Sequence, residues 1–400
     1  MRGMGSFGIL VTSVAAALAL AACGTATGKV SAASPAHPRH RIHPSPSGSP
    51  TPSPTPSRSP TPAATHPAPV PPLPSPGNPS GTADVPAAAQ PVNTSHPTHV
   101  VGDGTPASCT SAAVVAAVAA GGIITFSCGP APVTITMLAT AVVANTSAEV
   151  VLDGGGRVIL SGAGVRRILF LDTCSGDVTS SDCWTQSEPR LTVQNMAFED
   201  GNSTDPASGV GGGGAIFDRG GQLTVINSSF TDNRCTSTGP DLGGAAIRAL
   251  GPGDEPGAQA NPPVYIVGST FRGGVCSNGG ALSSIGVTWD VLNSVMTGNQ
   301  AIGYGANPAA AGTPGGGSGA AIYTDGDSYD LTIDGSVITG NTAREGGGAI
   351  FYVSDDNTGV LRIEDSTLHD NPSEGFQTAG YPGIFFHSSG DPIVTGSSLS

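Results

Sequence analysis

Gln222-Leu223-Thr224-Val225-Ile226-Asn227-Ser228-Ser229-Phe230-Thr231-Asp232-Asn233 alternates apolar and polar side chains, breaks at an asparagine, and returns to an apolar anchor. The phrase recurs as Val264-Tyr265-Ile266-Val267-Gly268-Ser269-Thr270-Phe271 and as Trp289-Asp290-Val291-Leu292-Asn293-Ser294-Val295-Met296. Alternation with period two marks a strand buried on one side, and recurrence marks a repeat architecture. Aligned on Phe198, Phe230, Phe271, Met296, Ile338 and Leu368, the residue five before each is Val193, Val225, Ile266, Val291, Ile333 and Ile363. Seven before stand Leu191, Leu223, Val264, Trp289, Leu331 and Leu361, and serine stands two before as Ser228, Ser269, Ser294, Ser336 and Ser366. Three after come Asn233, Asn299, Asn341 and Asn371, with Gly201 and Gly274 completing the column.

A glycine-rich stretch then leads to a second apolar column, Ile216, Ile247, Leu282, Ile322, Ile350 and Ile384. Each unit therefore reads as strand, turn, strand, loop, with the Asn and Gly positions expected to supply turns of positive φ. One such coil cannot bury its own apolar face; stacked coils place equivalent residues in continuous ladders. The anchors are 32, 41, 25, 42 and 30 residues apart, so the extra residues of the long repeats must loop outward.

This pattern resembles the pectin-lyase-like right-handed parallel β-helix family, and more closely the Gly-Gly-Ala-Ile and Phe-x-x-Asn repeats of polymorphic outer-membrane proteins. The resemblance covers residues 191–400; Val151–Gly156 and Val158–Gly162 look like the first rungs. It implies an all-β solenoid over 100–400. Ser111 to Ala120, stopped by Gly121-Gly122, reads as a short helix capping its first coil. Pro392, Val394, Ser397 and Leu399 fit a seventh half-rung, which either caps the far end or meets a partner. The outer-membrane β-barrel that follows such repeats in those proteins is absent from this sequence.

Ahead of the solenoid the chain reads differently. Residues 1–22 hold a charged start and an apolar run of signal-peptide length, and Leu20-Ala21-Ala22-Cys23 resembles the bacterial lipobox, with Cys23 as the acylated residue. Residues 23–99 read as a disordered Pro/Ser/Thr-rich stalk, since 31–98 carry 20 of the chain's 35 prolines and proline denies the backbone its donors. The expected protein is an extracytoplasmic monomer, lipid-anchored to the cell membrane and exposed at the cell surface.

Subtracting residues 1–99, which hold Asp84 against Arg2, Lys29, Arg39, Arg41 and Arg58, leaves 28 acids and 10 arginines, a net charge of −18 over 100–400. Such a surface repels phosphate backbones, which excludes nucleic acid as a partner. Besides Cys23, six cysteines remain. An even number in an exported chain suggests disulfides, with zinc the alternative, although no CxxC pair exists. Cys235 and Cys276 each follow their Phe anchor by five residues, which puts them on equivalent points of neighbouring coils. Cys109–Cys128 and Cys174–Cys183 complete the expected set.

For chemistry, family hydrolases would use clustered aspartates with Gly-His-Gly and Arg-x-Lys segments; neither is present, and no lysine follows Lys29. The nearest candidate is Asp325, Asp327 and Asp330 in one loop with Asp355 and Asp356 a rung later, an oxygen-rich set that could hold Ca²⁺. A solvated acidic turn is the plainer reading of the same residues. Two functions follow: a non-catalytic surface protein displaying its β-helix for adhesion, envelope or glycan binding, or an extracellular polysaccharide lyase or glycoside hydrolase. The partners expected are the membrane, and a cell-wall or extracellular glycan or surface protein.

Overall fold

The computed structural model describes residues 70–144, 147–173, 186–205, 211–252 and 262–400. The chain divides into two units, 1–65 and 66–400, and every described residue belongs to the second. The signal peptide 1–22, Cys23, the stalk up to residue 69 and the Cys174–Cys183 pair lie outside the described residues.

Among the described residues, strands stack in parallel into three long sheets. Sheet A runs through ten strands from His99–Val101 to Ile393–Thr395, sheet B through nine from Val133–Thr136 to Ser398–Leu399, and sheet C through eight from Ala141–Ala144 to Ile384–His387. A fourth, sheet D, has three short strands, Val275–Cys276, Gln300–Ala301 and Thr342–Ala343. The fold is a right-handed parallel β-helix.

Register follows the repeat residue by residue. Phe198, Phe230, Phe271, Met296, Ile338, Leu368 and Leu399 pair in succession up sheet B. Ile216, Ile247, Leu282, Ile322, Ile350 and Ile384 do the same in sheet C. All but Leu399 are buried in one continuous core, and Leu399 is half-buried against its open end. The Phe198, Phe230 and Phe271 rings stack with centroids 4.9 and 4.7 Å apart, the spacing that parallel strands impose.

The polar columns do more than the turn role the sequence suggests. Ser228 N–H donates to Ser269 Oγ, and the relay continues through Ser294, Ser336, Ser366 and Ser397 with every link between 2.9 and 3.1 Å. The asparagines three after the anchors are likewise a buried ladder: Asn341 Oδ1 accepts from Asn299 N and Nδ2, and Asn371 Oδ1 accepts from Asn341 N and Nδ2. Positive φ falls elsewhere. It sits three before each anchor, at Asn195, Asn227, Gly268, Asn293, Gly335, Asp365 and Gly396, and two after six of them, at Asp200, Asp232, Gly273, Gly298, Gly340 and Asp370. The expected assignment of the Asn233–Asn371 column to positive-φ turns is therefore corrected. Those side chains satisfy buried backbone groups at the corner, and the residue before each one makes the turn.

The helix Ser111–Ala120 starts at Thr110, whose side chain accepts from Ala113 N–H, and ends at Gly121 with φ +76°. Its Val114, Ala117 and Val118 join the core beside Val101, Ile124 and Met137, and Ser111 Oγ accepts from Leu138 N–H at 2.8 Å. It closes the N-terminal end of the solenoid. Cys235 and Cys276 meet on adjacent coils with Cα atoms 4.7 Å apart, and Cys109 meets Cys128 at 5.7 Å, both pairs within bonding reach of their sulfurs.

The largest departure from the sequence reading concerns residues 70–98. Read as stalk, they lie instead as a strap along the solenoid. Leu73 N–H donates to Gly156 O, Asn78 N–H to Asn293 O, and Thr98 N–H to Ile123 O. Two side-chain amides clamp the strap as a neighbouring strand would. Asn293 both accepts from and donates to the Ala83 backbone, and Gln194 does the same to Val92. Val85 and Ala89 pack on Ile226, Val267 and Leu292, apolar residues of sheet A that alternation points outward. Gly77, at φ +82°, passes so close that a Cβ would sit 2.5 Å from the Gly268 carbonyl. The partners missing from a proline-rich segment are thus supplied by the coils beneath it.

Candidate functional site

Strands of sheet C alternate inward and outward, and the residue after each inward Ile or Leu faces out. In register these are Phe170, Phe217, Arg248, Ser283, Tyr323, Phe351 and Phe385. An outer face should be wet, yet Arg248 is 3% exposed and Ser283 and Tyr323 are fully buried. Loops roof them. Aromatic stacks flank the polar middle, Phe170 on Phe217 at 5.2 Å below, and Tyr323 on Phe351 at 4.9 Å and Phe351 on Phe385 at 5.0 Å above.

Arg167 lies over the Phe217 ring at 4.9 Å and donates through Nε to Gly213 O and through Nη2 to Gly212 O. Burial first, then repulsion from Arg219 and Arg248, brings its pKa down to about 10. Arg248 is also brought to about 10 by burial, against the pull of Tyr323 and Asp241. Its Nη1 donates to Ser283 Oγ at 3.3 Å, while its buried Nε has no hydrogen-bond partner. A buried donor left unpaired is costly, and such groups in native proteins call for an explanation. Gly212, at φ +107°, lies against the Arg248 stem so closely that any Cβ there would collide with Cδ.

One rung further, Tyr323 OH donates to Asp325 Oδ2 at 3.1 Å, and Gly326 N–H donates to Oδ1. Asn307, from the loop above, donates to Tyr323 Oη and to Asp325 Oδ2. It also hydrogen-bonds Asp241, whose carboxyl is raised by desolvation. Asp325 rises to about 6, chiefly from burial, with Asp355 and Asp241 adding to the shift and the Tyr323 and Gly326 hydrogen bonds opposing it.

Of the other acids singled out by sequence, Asp355 acts on Asp325 through its charge. Asp330 takes Val360 N–H at 2.9 Å and pairs with Arg362 at 3.3 Å. Asp356 accepts from Thr358 N–H, Thr358 Oγ1 and Ser354 Oγ, and the first of these leads in holding its carboxyl below the usual range. Asp327 meets the next rung through its carbonyl, which accepts from Ser354 Oγ, and Asp355 through its N–H, donated to Gly326 O. Among the described residues, no three His, Cys, Asp or Glu side chains form a group that could hold a metal ion. Asp325 is thus the one predicted residue that the structure places in a polar cluster with Arg248, Ser283, Tyr323, Asn307 and Asp241.

The class that fold and face define is a helix-capped parallel β-helix with a roofed polar cluster on one outer sheet. Among known proteins, no family model, no curated protein and no solved structure matches the chain.

Proposed function

We propose that the chain is an extracytoplasmic, lipid-anchored surface protein that displays its β-helix for glycan or envelope binding without catalysing a reaction. The observation that carries this reading is the engagement of the acids: Asp330 is tied to Arg362, Asp356 to Thr358, and Asp325 to Tyr323 and Asn307. A catalytic pair needs two carboxyls addressing one bond from an open cleft, and these carboxyls are held by neighbouring side chains and backbone. The two cysteine pairs at bonding distance support an oxidising compartment, and the resemblance of the repeats to bacterial surface proteins points the same way.

A second reading, a polysaccharide lyase or hydrolase, is favoured by one observation. Asp325 is shifted to about 6 beside Asp241 and Arg248, and perturbed carboxyls gather at catalytic sites. Binding and turnover of neutral and acidic polysaccharides by the purified chain, with and without Ca²⁺, separates the two. Retention of a glycan without new reducing ends or unsaturated products is the expected result. Product formation that disappears in Asp325→Ala overturns it in favour of the enzyme.

A further inference from the structure

We infer that residues 303–317 form a lid, latched by Asn307 to Asp325, that opens to admit a hydroxyl-rich glycan segment to Arg248, Ser283 and Tyr323. The inference rests on the glycan-binding reading for its ligand but on geometry of its own for the lid.

The segment is a small hairpin with a fixed base and a lightly held tip. Gly303 N–H and Gly317 N–H both donate to the Ser277 carbonyl, which pins the two ends together. Ala306 and Gly316 exchange backbone hydrogen bonds at 3.0 Å each way, forming the stem. On the stem, Gly305 N–H donates to Glu345 Oε1 at 3.0 Å, and the Arg344 guanidinium lies 4.9 Å from the Tyr304 ring centre. Beyond the stem the tip is exposed from Pro308 to Ala311. Among the described residues, its hydrogen bonds to the sheet beneath run through one side chain, Asn307, to Tyr323 and Asp325. Glycines 305, 312, 315, 316 and 317 all have positive φ; 315–317 are buried and Gly239 N–H donates to Gly315 O, so the freedom to hinge lies at Gly305 and Gly312 beside the exposed tip.

What lies beneath is suited to sugar hydroxyls. Arg248 offers an unpartnered Nε, Ser283 and Tyr323 offer hydroxyls, and Asp325 and Asp241 offer acceptors. The flanking Phe217 and Phe351 rings present apolar walls. With the tip closed Arg248 Nε stays unpaired, and a ligand that brings it an acceptor satisfies it.

The latch responds to pH. Facing Asp325 are Tyr323 on its own strand, Asp241 from the loop before Arg248, Asp355 from the following rung and Tyr329; strands 282–285 and 350–353 bring no charge to it. As a carboxylate, Asp325 accepts from both Tyr323 and Asn307. Its pKa near 6 means that this acceptor is fully charged above that value and is lost as pH falls through it. Protonation removes the charge that strengthens the hydrogen bonds from Asn307 and Tyr323, so the tip is released on the acid side.

Hydrogen exchange of the full chain at pH 5 and pH 8, corrected for the intrinsic rate, tests this. Backbone amides of 305–316 are expected to exchange about tenfold faster at pH 5, the change that loss of one charge-assisted hydrogen bond produces. Asp325→Asn and Asn307→Ala should be fast at both pH values, and Asn307 sits on the tip, where truncation leaves the core untouched. Equal rates in the wild type, or a pH step kept in Asn307→Ala, overturn the lid. Retention of xylan or dextran by Asn307→Ala at pH 8, weakened by Arg248→Gln, is the matching result for the ligand. Exchange as expected with neither polysaccharide retained leaves the lid standing and removes the glycan from it. Retention without the exchange step removes the lid and leaves the glycan-binding reading.

Discussion

Changing Phe230 to aspartate unfolds the coils on either side of it, seen as loss of the cooperative thermal transition. Phe230 is buried and stacked between Phe198 and Phe271. Removing a buried phenylalanine side chain alone costs ~3–5 kcal/mol, and an unpaired carboxyl in its place adds several more, or stays protonated and unbonded. Against a net stability of about 5–15 kcal/mol that is most or all of the reserve. Because each coil touches only its neighbours, the damage spreads outward from this rung rather than acting as a uniform weakening. Thr231→Asp, on the same strand but facing out, is the control and should move the midpoint by only a few degrees. A Phe230→Asp protein melting at the wild-type temperature refutes the ladder.

The second large effect has the opposite sign. Asp218 lies on the strand Ile216–Arg219 at the inward position, paired with Leu171 below and Ala249 above, both core residues. It is 3% exposed, its Oδ1 has no partner, and burial alone raises its pKa well above the usual carboxylate range, with no charged group opposing the shift. A folded-state pKa above the unfolded one means the folded protein holds the proton more tightly. The stability this gives is complete below the ordinary aspartate value and is lost as pH rises towards the folded value. Asp218→Ala should therefore raise stability at neutral pH by about 1–3 kcal/mol, the cost of a buried unsatisfied group, and raise it less at pH 4. Thermal midpoints of both proteins between pH 4 and 8 read this directly. A variant less stable than wild type at every pH would mean that the carboxyl has a partner in the folded core.

The ladders were legible because an inward column must repeat its chemistry at every rung. Leu223 and Val225, Phe230 and Ile247 each announce the same environment as their counterparts one coil away, and the register of sheets A, B and C follows from that alone. The role of the asparagines was half legible. The letters at Asn227 and Asn233 are the same, but one adopts positive φ and the other fills a buried corner with hydrogen bonds. Composition cannot separate a turn residue from an amide ladder.

The strap was hidden by its prolines, whose frequency outweighed Val85, Ala89 and Asn78, the residues that dock it. The roofed cluster was hidden for another reason. Outward positions of sheet C change from Phe217 to Arg248 to Ser283 to Tyr323, so no column repeats, and Asp241 and Asn307 reach the site from loops of different coils. The one available signal was the residue following each Ala-Ile or Ala-Leu of the second column, where a charged or hydroxyl side chain replaces an aromatic one.

The most direct test of the stacked-coil account is peptide mapping of the non-reduced full chain by mass spectrometry. Cys235 and Cys276 are far apart in sequence and become neighbours only if their two Phe anchors occupy the same point on consecutive coils. The account predicts a linked pair of peptides carrying Cys235 and Cys276, and a second carrying Cys109 and Cys128. A bond from Cys235 to any cysteine other than Cys276 would contradict it, because the Phe230–Phe271 pairing sets those two side by side.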